Sequence, residues 1–293
     1  MDAVVSGISG GDSRAVSVRA AFPLMAEMER EHGSLTKALI ARRRRGQGPS
    51  RLLSFRRGMA TLVESLETDL GDRLRGRSAA RGLTRRGSRW RIELEGGETI
   101  EAEHVALALP APAAAGLIGA VVPDLARALE TIPYAGLAVV ALAYRAEDLA
   151  RPLDGYGYLV TRAEGIATLG VVWESSLFEE RAPAGHVLVR AMVGGPRRPE
   201  AADLSEVELV ALAERELQPA LGPRVPPRRS WVFRWPRAIA QYTAGHLERV
   251  ADARARATRL GGLWLCGTSY DGVSFGSAVT SGRDLADRIL EAG

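Results

Sequence analysis

The segment from Leu263 to Leu290 sets the tightest limit on how this chain can fold. Leu263-Trp-Leu-Cys266 is a short apolar run; glycines follow at positions 267 and 272, and then small residues open a helix. Such a run, bounded by glycines, predicts a buried strand. Gly267 and Gly272 supply the conformations a sharp turn needs and let backbone amides come close to a bound group. The helix behind them aims its unpaired N–H groups and the positive end of its dipole at the same place, stabilising an electron-rich atom there by about 0.3 to 2 kcal/mol. Ser277, Ala278, Ser281 and Gly282 keep one face of that helix thin, while Leu285, Ala286, Ile289 and Leu290 form the face it buries. The pattern reads as a ligand cradle at a strand-to-helix junction, and a plain glycine loop has the same signature.

Composition removes several other functions. The 293 residues, 46 % of them apolar, suffice for one large core or two moderate ones. The formal charge is only +4 and Lys37 is the sole lysine, so the high pI of about 9.6 reflects arginine usage. Aromatic residues make up 5 % of the chain, too few to interleave a base-stacking platform with the basic residues, and no nucleic-acid partner is expected. Cys266 stands alone, which excludes an internal disulfide and a cysteine metal cluster. His32, His104, His186 and His246 are too scattered for paired ligation, so no metal is expected. The N-terminus lacks a secretory signal, and Pro110, Pro112 and Pro123 break the uncharged stretch from Val105 to Pro123 into strand, loop and short helix. The expectation is a cytoplasmic chain with no spanning segment. Arg42 to Arg45 leave peripheral contact with an anionic membrane open, against a solvated loop continuing through Gly46, Gln47, Gly48, Pro49 and Ser50.

Periodicity and punctuation outline the rest. Ser17 to Arg45 reads as two helices, with Pro23 near the first start, Gly33 as a stop and Ser34 as the next N-cap. Met59, Leu62, Val63, Leu66 and Leu70 recur at helical spacing. Trp90 to Leu94 alternates with period two, Gly96-Gly97 turns the chain, and Val105 to Leu109 is wholly apolar. Ala135–Tyr144, Tyr156–Thr161, Ile166–Trp173 and Val187–Val193 are strand-like, Leu204 to Leu217 is an amphipathic helix, and the proline-rich stretch Pro219 to Pro227 reads as a connector.

Seven separated blocks then carry a resemblance in consistent order: Val5–Asp12, Ala20–Pro23, Glu31–Leu35, Phe55–Leu62, Gly155-Tyr-Gly-Tyr-Leu-Val160, Ala238-Ile-Ala-Gln-Tyr-Thr-Ala-Gly-His246 and Gly267-Thr-Ser-Tyr-Asp-Gly-Val273. Together they resemble the oxygen-dependent, FAD-containing porphyrinogen oxidases of haem biosynthesis, which act on protoporphyrinogen or coproporphyrinogen. The resemblance implies an α+β or α/β chain. It would consist of a partial FAD-binding, amine-oxidase-like domain, an inserted mixed-sheet substrate domain, and a remnant of a helical, membrane-facing subdomain. The corresponding boundaries are 1–50 for the helical remnant, 51–112 for the adenosine side of the FAD domain, 113–245 for the substrate domain and 246–293 for the final strand-turn-helix. It further implies hydride transfer from a porphyrinogen to FAD with dioxygen as the final oxidant, a reaction that needs position and water exclusion rather than side-chain acids, so no catalytic residue is expected. FAD contacts implied by the match are Ala80, through its backbone, and Gly267, Thr268, Val273, Ser274 and Phe275. Tyr156, Gly157, Leu159 and Met192 would line the macrocycle.

Departures from the family pattern are equally visible. Arg57 stands where a glycine is usual, Ala240 replaces a proline before Gln241-Tyr242, and Gly276-Ser277-Ala278 is unusual at the helix start. No glycine-rich GxGxxG turn of the kind that holds the FAD pyrophosphate in this family stands in the sequence, and the family's carboxylate-binding arginine cannot be assigned, since by the resemblance both belong upstream. The expectation is therefore the later part of such an enzyme, with an upstream segment of the same or another polypeptide supplying the pyrophosphate loop. Without it, Phe22, Leu24, Met25 and Met28 would lack part of their cover. Two other readings stay open: a different flavin amine-oxidase-like enzyme, such as an amine oxidase or carotenoid desaturase, and a non-catalytic truncated binding module.

Overall fold

Caps and apolar periodicity decide where the elements lie. The structure, a computed structural model, describes residues 2–46 and 52–292. The loop expected over Gln47, Gly48, Pro49 and Ser50 falls outside the described residues. The helices are α1 (Asp2–Ser9), α2 (Val18–Ala21), α3 (Pro23–His32), α4 (Leu35–Arg44), α5 (Ala60–Leu70), α6 (Ala111–Ile118), α7 (Pro123–Glu130), α8 (Glu174–Leu177), α9 (Glu206–Leu221), α10 (His246–Leu260) and α11 (Phe275–Ala292). The strands are β1 (Ala80–Arg86), β2 (Arg89–Leu94), β3 (Thr99–Ala102), β4 (Val105–Leu107), β5 (Tyr134–Arg145), β6 (Gly157–Leu159), β7 (Thr168–Val172), β8 (His186–Gly194), β9 (Arg229–Ala240) and β10 (Leu263–Leu265). Gly33 closes α3 in the left-handed conformation (φ 66°), and Ser34 precedes α4, as their positions predict. A reciprocal Ser205–Glu208 capping box starts α9. That helix does not stop before Pro219. It carries the proline through its last turn to Leu221, and the connector begins only at Gly222. The proline forfeits one helical bond, and burial of Leu217 and Leu221 outweighs that loss.

Two compact units divide the chain, one formed by Met1–Ala15, Pro49–Arg73 and Ala135–Ala238, the other by Val16–Gly48, Leu74–Tyr134 and Ile239–Gly293. In the first, a five-stranded sheet has the order β6-β7-β8-β5-β9. Strict alternation gives this sheet two unlike faces. Val140, Leu142, Val171, Val189, Ala191 and Val193 point to one side and form a core with Leu209, Ala213, Leu217 and Leu221 of α9. Helix α5 forms where the period predicts it, yet none of its residues is buried, and Met59, Val63, Leu66 and Leu70 lie exposed. Strand β9 was not among the expected strands. Its aromatic residues Trp231, Phe233 and Trp235 alternate as in a strand but remain exposed, on the opposite side of β9 from Val232, which packs against the core.

The second unit stacks an antiparallel sheet β1-β2-β3 and a two-stranded parallel sheet β10-β4 with α6, α7 and α10 around one core. Trp90 is fully buried there and its indole N–H donates to the Gly261 carbonyl at 3.0 Å. Leu263 and Leu265 pair with Val105 and Leu107, and all four pack against that core. Met28 is buried, Phe22 and Met25 are half-buried, and Leu24 is exposed, so the apolar face of α3 is partly covered. No helix among the described residues is long and apolar enough to cross a membrane.

His246 opens α10 with 1 % exposure, stacked on Tyr242 at 3.8 Å between ring centroids, and neither ring nitrogen has a hydrogen-bond partner among the described residues. Burial, helped by the nearby Arg249 charge, pushes its pKa down to about 4. The unfolded chain therefore takes up this proton first, near pH 6.5, while the folded chain resists it. His246 leaves stability intact above pH 6.5 and costs about 3 kcal/mol as pH falls to 4, where the loss levels off. Urea unfolding followed across that window is expected to show this decline, and His246→Phe to flatten it. A second position tests the sheet. Gly157 sits at φ 128°, and a Cβ there would overlap the Val171 carbonyl oxygen. Gly157→Ala should cost about 2 kcal/mol or more in the same assay.

Candidate functional site

The glycine turn between β10 and α11 cannot satisfy its own backbone, and side chains from elsewhere in the second unit complete it. The Tyr242 hydroxyl donates to the Thr268 carbonyl at 2.9 Å and accepts the Gly272 amide at 2.7 Å. The Gly267 amide donates to Ser281 Oγ at 2.9 Å; that hydroxyl donates in turn to Asp271 at 2.5 Å, and Arg254 clamps the same carboxylate at 2.6 and 2.7 Å. Ser269 bonds Tyr134 Oη at 2.7 Å and accepts the Ala111 amide at 3.0 Å. The glycine amides are thus consumed internally, contrary to a simple picture in which they face a ligand. The donors left for a ligand include the amides of Phe275 and Gly276, ahead of the first helical bond, whereas the Ser277 N–H is already taken by Ser274 Oγ.

The expected cofactor positions all lie in this unit. Thr268, Ser274 and Phe275 are exposed, while Val273 is half-buried and packs against the core. Gly267, at φ 108°, has open space where a Cβ would stand, and so does Gly282 on the thin face of α11. A free helix start, an exposed hydroxyl and a glycine facing open space fit the edge of a flavin ring. A cavity of about 660 Å³ runs beside α11, lined by Ser274, Ser277, Thr280, Arg254 and Arg288 among others, but Thr268, Val273 and Phe275 are not among its walls. Ala80 opens β1, an edge strand, opposite Leu94. Because the Ala79 carbonyl accepts the Glu95 amide, ladder alternation turns the Ala80 N–H and C=O toward the outer edge, the orientation backbone recognition requires. Arg57 belongs to the first unit and reaches back 3.5 Å to Glu64 on α5.

The substrate-side positions all fall in the first unit, and the sheet register brings them together. Leu159 pairs with Gly170, which pairs with Met192, which pairs with Val139; one step along, Gly157, Val172, Arg190 and Ala141 form the neighbouring row. The two rows are two residues apart on every strand, so all eight positions share the face opposite the α9 core. Gly170 leaves room between its neighbours, with Leu159 Cδ2 3.0 Å from where its Cβ would stand. A cavity of about 460 Å³ opens on this face. It is walled by Leu52, Tyr156, Gly157, Leu159, Val172 and Phe178, but Met192, half-buried in the next row, is not part of the wall. Tyr156 is 68 % exposed, free to stand against a flat ligand. The glycine at 157 answers to the Val171 carbonyl of its own sheet rather than to a ligand. Sequence reasoning missed Arg190 and Glu174 in this cavity, and missed the bracing role of Tyr242, although its Gln241-Tyr242 block was visible. Among the described residues no group of three potential ligands could hold a metal ion.

Known proteins match this arrangement along its whole length. The chain is 32 % identical over 312 residues to protoporphyrinogen oxidase of Bos taurus, covering 99 % of this chain and 65 % of the relative. It is 26 % identical over 299 residues to coproporphyrinogen III oxidase of Bacillus subtilis, covering 99 % of this chain and 63 % of the relative. The chain therefore spans slightly less than two thirds of the length of these proteins. A solved structure from Exiguobacterium sp. 255-15, assigned as a protoporphyrinogen oxidase, superposes with a TM-score of 0.82 at 25 % identity, over 100 % of this chain and 63 % of the other. Cyclohexylamine oxidase from Brevibacterium oxydans shares the fold, with a TM-score of 0.69 at 16 % identity over 99 % of this chain and 63 % of the other. A mixed helix-and-sheet chain of amine-oxidase-like fold is what these likenesses share, and the family described as Flavin containing amine oxidoreductase matches residues 1–290, so the chain belongs to that family, which implies FAD as its cofactor.

Proposed function

We propose that this chain carries the flavin-ring side and the macrocycle side of an oxygen-dependent porphyrinogen oxidase. The observation that carries the reading is the register of the five-stranded sheet, in which Gly157, Leu159 and Met192, spread over 36 positions of sequence, share one apolar face beside Tyr156. Bound FAD would take hydride equivalents from the porphyrinogen and pass them to dioxygen, yielding hydrogen peroxide. The chain's own residues position the partners and keep out water. Leu159, Val172 and Phe178 offer apolar walls, and the Tyr156 ring offers a flat surface on which a macrocycle can stack. On the cofactor side, the amides of Phe275 and Gly276 and the α11 dipole would hold negative charge on the reduced ring, with Thr268, Val273 and Ser274 around it and Gly267 making room. The backbone of Ala80 would recognise the adenine.

A further segment, in the same or another polypeptide, would supply the pyrophosphate loop. Supporting this, β10 pairs only with β4 among the described residues, so its other edge can take another parallel strand. Contact with a membrane surface would fall to α4, where Leu39 and Ile40 are exposed beside Lys37 and the basic run from Arg42.

The test is direct. Purified protein, alone and co-expressed with a polypeptide carrying a GxGxxG unit, is expected to acquire flavin absorbance when FAD is supplied, and the complemented form to convert porphyrinogen to fluorescent porphyrin with release of peroxide. Protein that stays colourless in both forms, or that turns over amines but not porphyrinogens, overturns the reading. Tyr242→Phe removes the two bonds that brace the turn and should weaken FAD binding about tenfold in a flavin-fluorescence titration, with the fold retained.

A further inference from the structure

Among the described residues, Arg190 is the one cation in the apolar cavity on this sheet face, and Glu174 its one anion. The guanidinium rises from the middle of β8, in the row that joins Gly157, Val172 and Ala141. Its neighbours in that row are short or apolar, and none of them competes for its donors. Glu174, at the start of α8, is 16 % exposed and meets Arg190 Nη2 through Oε1 at 2.5 Å, whereas the Arg190 side chain keeps 46 % of its surface free. A guanidinium carries five N–H donors in a planar fork. One edge engages Glu174; among the described residues no other hydrogen bond occupies the remaining donors.

We propose that Arg190 reads a carboxylate on the edge of the flat apolar ligand that fills this cavity, and that Glu174 competes for the same guanidinium and sets how strongly the carboxylate is held. The proposal rests on the porphyrinogen reading and adds to it the group that recognises a propionate substituent. Apolar walls account for binding the macrocycle body but give no preference for a free acid over its ester. A half-free guanidinium can, because it pairs with a carboxylate through two parallel bonds and loses both when the acid is esterified. Glu174 holds the side chain extended and aimed across the sheet, so little ordering cost remains when the ligand arrives. Its own negative charge lies close to the incoming carboxylate and weakens the pairing.

The two residues therefore act with opposite sign on the same ligand. Protoporphyrin IX and its dimethyl ester, titrated in one detergent buffer and followed by quenching of protein fluorescence, separate the possibilities without requiring turnover or bound FAD. Arg190→Gln should weaken binding of the acid about tenfold and leave the ester unchanged, and Glu174→Gln should tighten the acid severalfold and leave the ester unchanged. If the pair only anchors α8 to the sheet, both variants shift acid and ester alike and in the same direction, which overturns the proposal while leaving the porphyrinogen reading in place. Equal affinity of wild-type protein for acid and ester has the same meaning. Failure of wild-type protein to bind either compound removes the porphyrinogen reading and this proposal with it.

Discussion

The phenol of Tyr242 holds together the part of this molecule on which a cofactor site depends. A chain that leaves a buried parallel strand and enters a helix within nine residues cannot pair all its own backbone groups. Here the Thr268 carbonyl and the Gly272 amide converge on one hydroxyl, which donates to the first and accepts from the second. The ring is 3 % exposed and stacks on His246, so the anchor is itself immobilised by packing. Burial, with the nearby Asp271 charge, pushes its pKa up to about 12 against the opposing Gly272 bond, so the proton that reaches Thr268 stays in place at neutral pH. The chain of Gly267, Ser281, Asp271 and Arg254 braces the other side of the turn. Rigidity at this point has a chemical consequence. With the Gly267 and Gly272 amides already bonded, the first turn of α11 remains to meet a ligand and favours negative charge there.

The first unit solves a different problem, that of offering a broad apolar surface without losing its own core. Alternation along β7, β8 and β5 sends Val171, Ala191 and Val140 toward α9, and Val172, Arg190, Met192 and Val139 the other way. Both sides of the sheet are apolar; α9 closes one, and α1 covers part of the other, where Gly7 lies against Leu159 and Gly10 against Leu137. Glycine at 170 sits between Leu159 and Met192 in the row, is itself buried, and leaves its side-chain space to Leu159. In such a setting a single ion pair is conspicuous. A pair with one member largely buried is expensive to desolvate and adds little net stability, so its retention in the cavity is more readily understood as recognition than as support.

Local chemistry was legible in the sequence, and relations between distant segments were not. The helix break at Gly33 and Ser34, the alternation of β2 and the final strand-turn-helix follow from nearest-neighbour rules, since each depends on residues within a few positions of one another. Pro219 misled because tertiary burial of Leu217 and Leu221 decides the end of α9, and propensity does not register burial. Strand β9 escaped because Pro236 interrupts its alternation and its aromatic residues stay exposed. The grouping of Leu159 with Met192 came from resemblance alone; the physical reason, pairing through Gly170, exists only once the register is known. Arg190 was invisible for the same cause. An arginine in an alternating strand reads as solvent-facing, and only the walls contributed by Leu52, Tyr156 and Phe178 turn that outward position into a cavity.

Each unit also carries apolar or hydrogen-bonding surface that its own residues leave uncovered. In the second unit a parallel sheet of two strands is below the size at which such sheets normally stand, because parallel strands gain their stability from neighbours on both edges and layers on both faces. In the first unit α5 keeps the spacing of a helix with a buried stripe while burying none of it and leaving Val63, Leu66 and Leu70 exposed. Periodicity of this kind has a physical meaning only when something covers it, since an isolated helix of 11 residues gains little from propensity alone. The completing segment proposed for the pyrophosphate of FAD thus has a structural task as well as a chemical one: a strand on the free edge of β10 would bring the sheet to a stable width. Cofactor affinity and folding stability are linked through that same edge, so a ligand that draws the segment into place stabilises the strand, the turn and the helix start together.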